Sequence, residues 1–464
     1  MVTLMKNLCL CLILGVLIGT YCATSASATN KTVQRYTPDW KSLDSRPLPV
    51  WYDDVKIGIF LHWGVFSVPS FGTEWFWQRW KEVKKKEFVD FMARNYRPDW
   101  TYADFASQFT AEFYDPKHWA EVFKASGAKY VVLTTKHHEG YTMWPSKVSF
   151  NWNAMDVGPK RDLVGDLATA VRDAGLHFGV YHSLFEWFNP LFLADKENNY
   201  TTNVFTKHKA RPELEELVNT YKPDLIWSDG DADGTPEYWE AQQFIAWLYN
   251  DSPVKDKVVI NDRWGTGTAG KHGGFYNNAD RFNPGVLQKH KWENAMTIDK
   301  NSWGYRRNAK YEDYLSTHEL LTTLAQTISC GGNLLVNVGP SHDGLIKPIF
   351  EERLRDLGHW LSINGEAVYS SKPWTHQNDT KTPDVWYTMQ EKTTVYSIVL
   401  NWPKNNELEL GSVDHKTVGS VELLGEKGSL TFKVGSDGHT VVTFPHITPD
   451  SPLKWAYVLK FTLK

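Results

Sequence analysis

The sequence has very little cysteine, with four residues in a chain of 464. Three of them, Cys9, Cys11 and Cys22, lie close to the N-terminus, which leaves Cys330 for the rest of the chain. A single thiol cannot form an internal disulfide, and the apolar neighbours of Cys330 favour an inert buried residue over a nucleophile. We therefore predict a fold that does not depend on disulfide bonds.

The chain also lacks a large excess of charge and, after its N-terminus, any long apolar run. A net charge of -4 argues against nucleic acids and anionic membranes as partners. Lys6 precedes a short apolar run at residues 8–18, and Ala26-Ser-Ala28 suits a cleavage site. The run is shorter than the ~20 residues that span a membrane. Residues 1–28 are thus a predicted signal peptide, which directs the chain to the secretory pathway, and then to the lysosome or the cell exterior, with no membrane anchor after its removal.

Several motifs of other enzyme classes are absent. No Gly-rich loop follows the first predicted strand, and no Gly-x-Ser-x-Gly nucleophile elbow is present. His137 and His138 are adjacent, so on a strand they point to opposite faces and cannot easily chelate one ion. Cysteine ligands are also lacking. We therefore expect neither a metal nor an organic cofactor.

Tryptophan, in contrast, is abundant, with 22 residues. Indole rings pack in cores, but their flat faces also stack on the C–H surfaces of sugars. Asn-x-Ser/Thr triplets at Asn30, Asn199, Asn250 and Asn378 are candidate glycosylation sites, although Pro253 directly follows the Ser of the Asn250 triplet.

Strand-like and helical patterns alternate from about residue 50 to residue 370. Strands are predicted at residues 56–63, 130–138, 178–184, 225–229, 258–262 and 334–338. Amphipathic helices are predicted at residues 116–126, 161–174, 212–221, 236–249 and 350–363. About eight such units favour an α/β fold with a (β/α)8-like TIM barrel at residues 29–371, and a doubly wound sheet is the alternative.

After Pro373 the pattern changes to short strands separated by Gly, Asn and Asp turns. Seven strands are predicted, at residues 385–390, 394–400, 407–410, 420–424, 429–434, 440–444 and 455–462. They predict a C-terminal antiparallel β-sandwich domain at residues 372–464. We expect it to brace the barrel rather than to bind carbohydrate by itself, because few tryptophans beyond Trp386 and Trp402 look exposed.

Polar residues recur at the same end of five successive predicted strands. A lone His or Asp at a strand end is more often a capping or core residue. In a β/α barrel, however, the carboxyl ends of the strands meet at one face, where pockets lie. The sequence therefore predicts one pocket lined by His62, His137, His138, Tyr181, Asp229 and Arg263.

A pocket of carboxylates, imidazoles and indoles suits glycoside hydrolysis, in which one carboxylate attacks the sugar and another protonates the leaving oxygen. Four motifs stand at these strands: Lys56-Ile-Gly-Ile-Phe-Leu-His-Trp-Gly64, Thr134-Thr-Lys-His-His-Glu-Gly140, Trp227-Ser-Asp-Gly230 and Lys291-Trp-Glu-Asn294. With them, the chain from Trp51 onward resembles the α-L-fucosidase family of glycoside hydrolases, of the animal lysosomal or secreted type. The resemblance implies retaining hydrolysis of terminal α-L-fucosides in glycoproteins, glycolipids or oligosaccharides, through a fucosyl-enzyme intermediate, with fucosylated glycans as partners.

The same resemblance implies that Asp229 is the nucleophile. Imidazole and guanidinium groups can bond the hydroxyl groups of the sugar, whereas indoles can stack on its ring or enclose its C6 methyl group. The residues that match positions around the fucose ring are His62, Glu74, His137, His138, Tyr181, Trp227, Arg263 and Trp303.

The acid/base residue is left open between two main candidates. Glu293 lies in a motif associated with the active site, but it also suits a supporting role. Asp280 lies on a predicted loop, which suits proton delivery to varied leaving groups, and we slightly prefer it. Asp262 ranks third, because its neighbour Arg263 would keep it ionised.

A secreted fucose-glycan-binding protein without turnover is the alternative function. The presence of a nucleophile and of acid candidates favours the enzyme. The resemblance is compatible with a homo-oligomer, whereas the linkage preference, the natural glycan and the pH optimum do not follow from the sequence.

Overall fold

A computed structural model describes residues 34–448 and 450–464 of the chain. The predicted signal peptide at residues 1–28 and the candidate glycosylation site Asn30 lie outside the described residues.

Two sets of strands and a series of helices make up this part of the chain. The barrel strands are β1 (Ile57–Leu61), β2 (Tyr130–Lys136), β3 (His177–Ser183), β4 (Leu225–Asp229), β5 (Val259–Ile260), β6 (Trp292–Thr297) and β7 (Gly332–Val338). The C-terminal strands are β8 (Lys372–Asn378), β9 (Val385–Gln390), β10 (Thr394–Val399), β11 (Glu407–Asp414), β12 (Val418–Leu423), β13 (Phe432–Val434), β14 (His439–Thr443) and β15 (Tyr457–Leu463). The α-helices are α1 (Trp40–Leu43), α2 (Val50–Val55), α3 (Lys86–Asn95), α4 (Pro116–Ala125), α5 (Leu163–Asp173), α6 (Pro190–Glu197), α7 (Arg211–Tyr221), α8 (Ala241–Asn250), α9 (Thr317–Ser329) and α10 (Pro348–Asn364).

The first seven strands form one parallel sheet in the order β5-β4-β3-β2-β1-β7-β6. Their residues are almost all buried, because each strand faces the barrel interior on one side and the surrounding helices on the other. Large side chains such as Phe60, Tyr130 and Trp227 fill the interior. The predicted TIM-like barrel is confirmed.

The two edge strands of this sheet are joined by residues 274–276. The backbone N–H groups of Gly274 and Phe275 donate to the carbonyl oxygen of Ile260 at 3.0 and 3.2 Å. On the other side, Tyr276 forms a parallel bridge to β6. The sheet thus has seven strands rather than the eight units that the pattern predicted, and this short segment takes the place of the eighth.

Strand β6 is not among the predicted strands, and β5 is shorter than the predicted residues 258–262. Glu293 and Asn294 lie in the middle of β6 and are buried, so polar residues hide the apolar pattern of this strand. Strand β5 ends at Ile260, and the next residue, Asn261, bonds β4 with its side chain, whose oxygen accepts the backbone N–H of Ser228 at 3.0 Å.

The five predicted helices correspond to α4, α5, α7, α8 and α10 to within a few residues, except at the start of α8, whereas the other helices are not among the predicted ones. Helix α8 begins at Ala241 instead of residue 236, because Glu240 has a left-handed backbone with φ of 51°. Helix α4 begins where predicted. Asp115 caps it by accepting the backbone N–H groups of Lys117 and His118 at 3.0 and 3.2 Å.

Strands β8 to β15 form the predicted antiparallel sandwich. A five-stranded sheet, β12-β15-β10-β9-β8, faces a three-stranded sheet, β11-β14-β13. Tyr387, Val421 and Phe461 belong to the core between them. Strand β8 is not among the predicted strands, because it is an edge strand with mostly exposed residues and it contains Pro373.

One side of the five-stranded sheet packs against the barrel. Trp386, Ile398 and Val458 belong to the same apolar cluster as the barrel helices. The indole N–H of Trp360 in α10 donates to the carbonyl oxygen of Ala456 at 2.9 Å. The sandwich therefore packs directly against the barrel, and its role as a brace stays a prediction.

Cys330 is fully buried at the end of α9. Burial raises the pKa of its thiol to about 11, so the thiolate form is scarce at neutral pH. The prediction of a buried thiol is confirmed.

Five ionisable side chains form a buried cluster between the barrel and α7. Lys136 Nζ, at the end of β2, lies 3.0 Å from Glu186 Oε1 and 2.8 Å from Glu213 Oε2. Lys209 pairs with the same two carboxylates, and His182 Nε2 lies 3.0 Å from Glu213 Oε2. Burial alone raises the pKa of Glu213, but the two lysines outweigh it and hold that pKa well below its usual range. The cluster anchors the ends of β2 and β3.

The cluster leads to a prediction about stability. In Glu213→Ala, two buried lysines lose a carboxylate, and we expect the free energy of unfolding to fall by about 3–5 kcal/mol. The matched control in the same helix is Glu215→Ala, whose half-exposed ion pair with Arg211 is worth less than about 1 kcal/mol. Urea denaturation measures both, and equal losses in the two variants would contradict the role of the cluster.

Candidate active site

The carboxyl ends of the barrel strands enclose a cavity of about 230 Å³. Ten of the predicted site residues line it, although they are far apart in the sequence. They are His62, Glu74, His137, His138, Tyr181, Trp227, Asp229, Arg263, Asp280 and Trp303.

Asp229 ends β4 and projects into this cavity. Its Oδ2 accepts the hydroxyl of Tyr181 at 2.7 Å and lies 3.5 Å from His138 Nε2. Its Oδ1 accepts Nη1 of Arg263 at 3.1 Å. Burial would raise the pKa of Asp229, but Arg263, His138 and the Tyr181 hydroxyl outweigh it and hold the pKa well below its usual range. Asp229 is therefore ionised, as a nucleophile must be.

Arg263 joins Asp229 to a second carboxylate. Its Nη2 donates to Asp280 Oδ1 at 2.7 Å, while the guanidinium lies 4.6 Å over the ring of Trp227. Asp280 stands on the loop after β5, with 48 % of its side chain exposed. One cation thus bridges two carboxylates on the wall of one cavity.

Three histidines line the side of the cavity formed by β1 and β2. His62 Nδ1 lies 2.7 Å from the side-chain oxygen of Asn337, and His138 Nδ1 lies 2.6 Å from the hydroxyl of Ser183. His137 also has a partner for its Nδ1, a carboxylate oxygen of Glu139 at 3.2 Å. Since each Nδ1 is engaged, the Nε2 atoms of His62 and His137 are left to bind a ligand, whereas Nε2 of His138 already lies 3.5 Å from Asp229 Oδ2.

Burial also determines the charge of two of these imidazoles. It lowers the pKa of His62 to about 3, and neighbouring His137 contributes to this decrease. It lowers the pKa of His138 well below the usual value as well, although Asp229 opposes the shift. Both rings are therefore neutral near pH 7 and suit hydrogen bonds to sugar hydroxyls.

Glu74 fixes the loop on which Trp303 stands. Its Oε2 accepts the backbone N–H groups of Trp303 and Gly304 at 2.9 and 3.3 Å and the hydroxyl of Ser302 at 3.0 Å. Burial raises the pKa of Glu74, but His62, His137 and backbone donors that include the N–H of Gly304 outweigh it, so the pKa is lowered. The carboxylate thus holds the indole of Trp303 against the cavity.

Glu293 is fully buried in the barrel interior instead of on the cavity wall. Its Oε2 accepts the hydroxyls of Tyr52 and Tyr130 at 2.7 and 2.6 Å. Its Oε1 accepts the indole N–H of Trp227 at 3.0 Å and the side-chain N–H of Asn277 at 3.4 Å. Burial raises its pKa. The geometry gives Glu293 a supporting position beneath Trp227.

Asp262, the third acid candidate, is also fully buried. Its carboxylate accepts the backbone N–H groups of Gly270, Asn277 and Asn278 at 2.7, 3.1 and 3.3 Å. It therefore fixes the chain just before Asp280 and does not face the cavity.

Four residues with large or charged side chains line the cavity but are not among the predicted site residues: Phe60, Trp75, Phe185 and Asp231. Phe60 lies inside a quoted motif, and Trp75 directly follows Glu74, so both could be found as neighbours of predicted residues. Phe185 and Asp231 lie in loops after β3 and β4, where no periodic pattern indicates which way a side chain points.

These features define a class of enzyme. A β/α barrel with an ionised carboxylate at a strand end, a second carboxylate beside it, and imidazoles and indoles around the cavity is the site of a glycoside hydrolase. Within residues 34–448 and 450–464, no group of three or more His, Cys, Asp or Glu side chains is placed to hold a metal ion.

Comparisons with known proteins identify the family. The family profile described as alpha-L-fucosidase matches residues 23–366, and that of the alpha-L-fucosidase C-terminal domain matches residues 377–462. An alpha-L-fucosidase of Branchiostoma floridae is 58 % identical, over 92 % of this chain and 95 % of its own. The tissue alpha-L-fucosidase of Homo sapiens is 53 % identical, over 92 % of both chains. The plasma alpha-L-fucosidase of Rattus norvegicus is 54 % identical, over 93 % and 95 %.

Solved structures agree. The Thermotoga maritima alpha-fucosidase in complex with a mechanism-based inhibitor superposes with a TM-score of 0.80, at 34 % identity, over 92 % of this chain and all of its own. The same enzyme in complex with fucose gives a TM-score of 0.78 at 35 % identity, with the same coverage. The chain belongs to the α-L-fucosidase family, and it is a glycosidase rather than a binding protein without turnover.

The position of Arg263 predicts how activity depends on pH. In Arg263→Met, Asp229 loses its cation and its pKa rises. As the pH falls, Asp229 is then protonated at a higher pH than in the unchanged enzyme, and the activity that requires its ionised form is lost there. We expect the acid limb of kcat/KM to move up by about 1–3 pH units. The measurement is the pH profile of aryl α-L-fucoside hydrolysis. The control is Arg161→Met, which removes an ion pair to Asp166 outside the cavity. An unshifted acid limb in Arg263→Met would contradict this account of Asp229.

Proposed function

We propose that this enzyme is a retaining α-L-fucosidase that releases terminal α-L-fucose from glycoproteins, glycolipids or oligosaccharides, with Asp229 as nucleophile and Asp280 as acid/base. The observation that supports it most is that both carboxylates line one cavity and share the guanidinium of Arg263. Retaining glycosidases need two carboxyl groups close to each other, at about 5–5.5 Å.

In the first step, a carboxylate oxygen of Asp229 attacks the anomeric carbon of fucose. Asp280, in its protonated form, gives its proton to the glycosidic oxygen, and the aglycone leaves as an alcohol. In the second step, ionised Asp280 takes a proton from water, and the hydroxide attacks the anomeric carbon. Fucose leaves with its anomeric configuration retained, and Asp229 is ionised again.

The other cavity residues bind the sugar in this proposal. Those with donor or acceptor atoms for the fucose hydroxyls are His62, Glu74, His137, His138, Tyr181 and Arg263. The rings of Trp227 and Trp303 lie 5.3 and 5.9 Å from that of Phe60. The three rings form an apolar surface of the cavity, which suits the C6 methyl group that distinguishes fucose.

The nucleophile assignment can be tested by trapping the intermediate. A slow 2-fluoro fucoside should esterify Asp229, and peptide mapping should find the label there. We expect Asp229→Ala to lower kcat/KM by about 10⁴-fold or more. The control is Asp233→Ala in the same loop, since Asp233 pairs with Lys196 outside the cavity. A label on another residue would overturn the assignment.

The acid/base assignment can be tested with leaving groups of different basicity. In Asp280→Ala, we expect kcat/KM for methyl α-L-fucoside to fall by about 10²–10⁴-fold. Hydrolysis of 2,4-dinitrophenyl α-L-fucoside should fall far less, because its leaving group needs no proton.

The comparison variant for this test is Glu293→Gln, which should change both substrates by a similar factor, because Glu293 supports Trp227 from outside the cavity. If Glu293→Gln distinguishes the two substrates and Asp280→Ala does not, Glu293 is the acid/base.

Residues 29–371 are proposed as the catalytic domain and residues 372–464 as the C-terminal domain. The start of β8 at Lys372 supports the boundary, because β8 pairs with β9 of the sandwich. Asp379, just after β8, accepts the N–H groups of Gly411 and Ser412 near the end of β11.

We further propose passage through the secretory pathway to the lysosome or the cell exterior, in line with the tissue and plasma α-L-fucosidases among the similar proteins. None of the helices in residues 34–448 and 450–464 is both long and apolar enough to cross a membrane.

Asn199 and Asn378 are exposed and suit glycosylation. The Asn250 amide instead bonds the backbone N–H and carbonyl of Tyr36, both at 2.8 Å. A homo-oligomer stays a prediction.

A further inference from the structure

The cavity also contains a carboxyl group, Asp231, that the mechanism does not use. Asp231 lines the same cavity as Asp229 and Asp280. Whereas each of those two binds Arg263, Asp231 forms no salt bridge and no hydrogen bond with another side chain within residues 34–448 and 450–464. A half-buried carboxyl group without a partner, next to the reacting groups, is available to a ligand.

The backbone directs Asp231 to this place. It follows Gly230, whose left-handed φ of 87° lets the chain turn at the end of β4. A Cβ atom on Gly230 would come within 2.7 Å of the Phe185 ring, so the turn requires glycine. The side chain after this turn therefore has a defined position.

In the proposed mechanism, Asp231 lies on the side of the cavity from which the leaving group departs. Strand β4 neighbours β5 in the barrel, and the residues that follow β5 include Arg263 and Asp280. His62 and His137, in contrast, follow β1 and β2. If Asp280 protonates the glycosidic oxygen, the groups beside Asp280 face the aglycone.

The charge state of Asp231 suits a sugar hydroxyl. Burial raises the pKa of Asp231 to about 6. Arg263 opposes this shift, whereas Asp229 and Asp262 add to it. Near this pH the carboxyl group exchanges between a proton donor and an acceptor, and a sugar hydroxyl can bind either form.

We propose that Asp231 binds a hydroxyl group of the sugar residue to which fucose is attached, and that it thereby favours glycan substrates over fucosides with simple aglycones. This inference rests on the proposed function, because the roles of Asp229 and Asp280 define where the aglycone lies.

The test compares two substrates that need the general acid equally. Methyl α-L-fucoside and a fucosyl disaccharide both release an alcohol of high pKa, but the disaccharide also presents hydroxyl groups to Asp231. In Asp231→Ala, we expect the ratio of kcat/KM for the disaccharide to that for the methyl fucoside to fall about tenfold. The change should lie mainly in the KM of the disaccharide, because the lost contact is present before and during reaction. Asp231→Asn retains an amide that can bond hydroxyl groups, so its substrate ratio should lie between those of Asp231→Ala and the unchanged enzyme.

Asp233→Ala is the matched control, and its substrate ratio should equal that of the unchanged enzyme. An unchanged ratio in Asp231→Ala would overturn the proposal, whether both substrates retain full activity or lose it equally. Failure of the underlying mechanism is seen separately, because it would appear as a 2-fluoro fucoside label outside Asp229, or as no leaving-group effect in Asp280→Ala.

Discussion

The guanidinium of Arg263 is the cation on which the site depends. Two carboxylates in one cavity repel each other, and without a nearby positive charge one of them would take up a proton. Nη1 of Arg263 binds Asp229 and Nη2 binds Asp280, while the plane of the group lies over Trp227. Because each Nη atom binds a carboxylate and one face of the group lies over an indole ring, the guanidinium has a fixed orientation. It therefore sets both the ionisation of Asp229 and the separation of the two carboxylates.

The barrel floor supports this arrangement from below. Buried Glu293 accepts the indole N–H of Trp227, the ring under Arg263, and also a side-chain N–H of Asn277. Asp262 accepts the backbone N–H of the same Asn277, three residues before Asp280. The two carboxylates that do not face the cavity thus position the groups that do. Neither carboxylate has a salt bridge in the part of the chain that the structure describes, and several hydrogen-bond donors to each offset the cost of burial.

The sequence was sufficient to predict most of the site, because parallel strands bring their carboxyl ends together and the polar residues there are easy to recognise. This accounts for His62, His137, Tyr181 and Asp229. The burial of Glu293 could not be predicted, since a carboxylate inside a barrel and one at its rim have the same sequence pattern. What marks Glu293 as buried is its contact with Tyr52 and Tyr130, which are distant in the sequence. Strand β6 was not predicted because Glu293 and Asn294 interrupt its apolar pattern. Asp231 was missed because a loop residue has no periodicity that indicates its direction.

The shared cation also bears on the change of role that the proposed mechanism requires of one carboxyl group, first as an acid and then as a base. In the free enzyme, the guanidinium of Arg263 divides its charge between Asp229 at 3.1 Å and Asp280 at 2.7 Å. Once Asp229 is esterified in that mechanism, it carries no charge, and the guanidinium is left to Asp280 alone. The electrostatic surroundings of Asp280 therefore change with the chemistry at Asp229, without any movement of the protein.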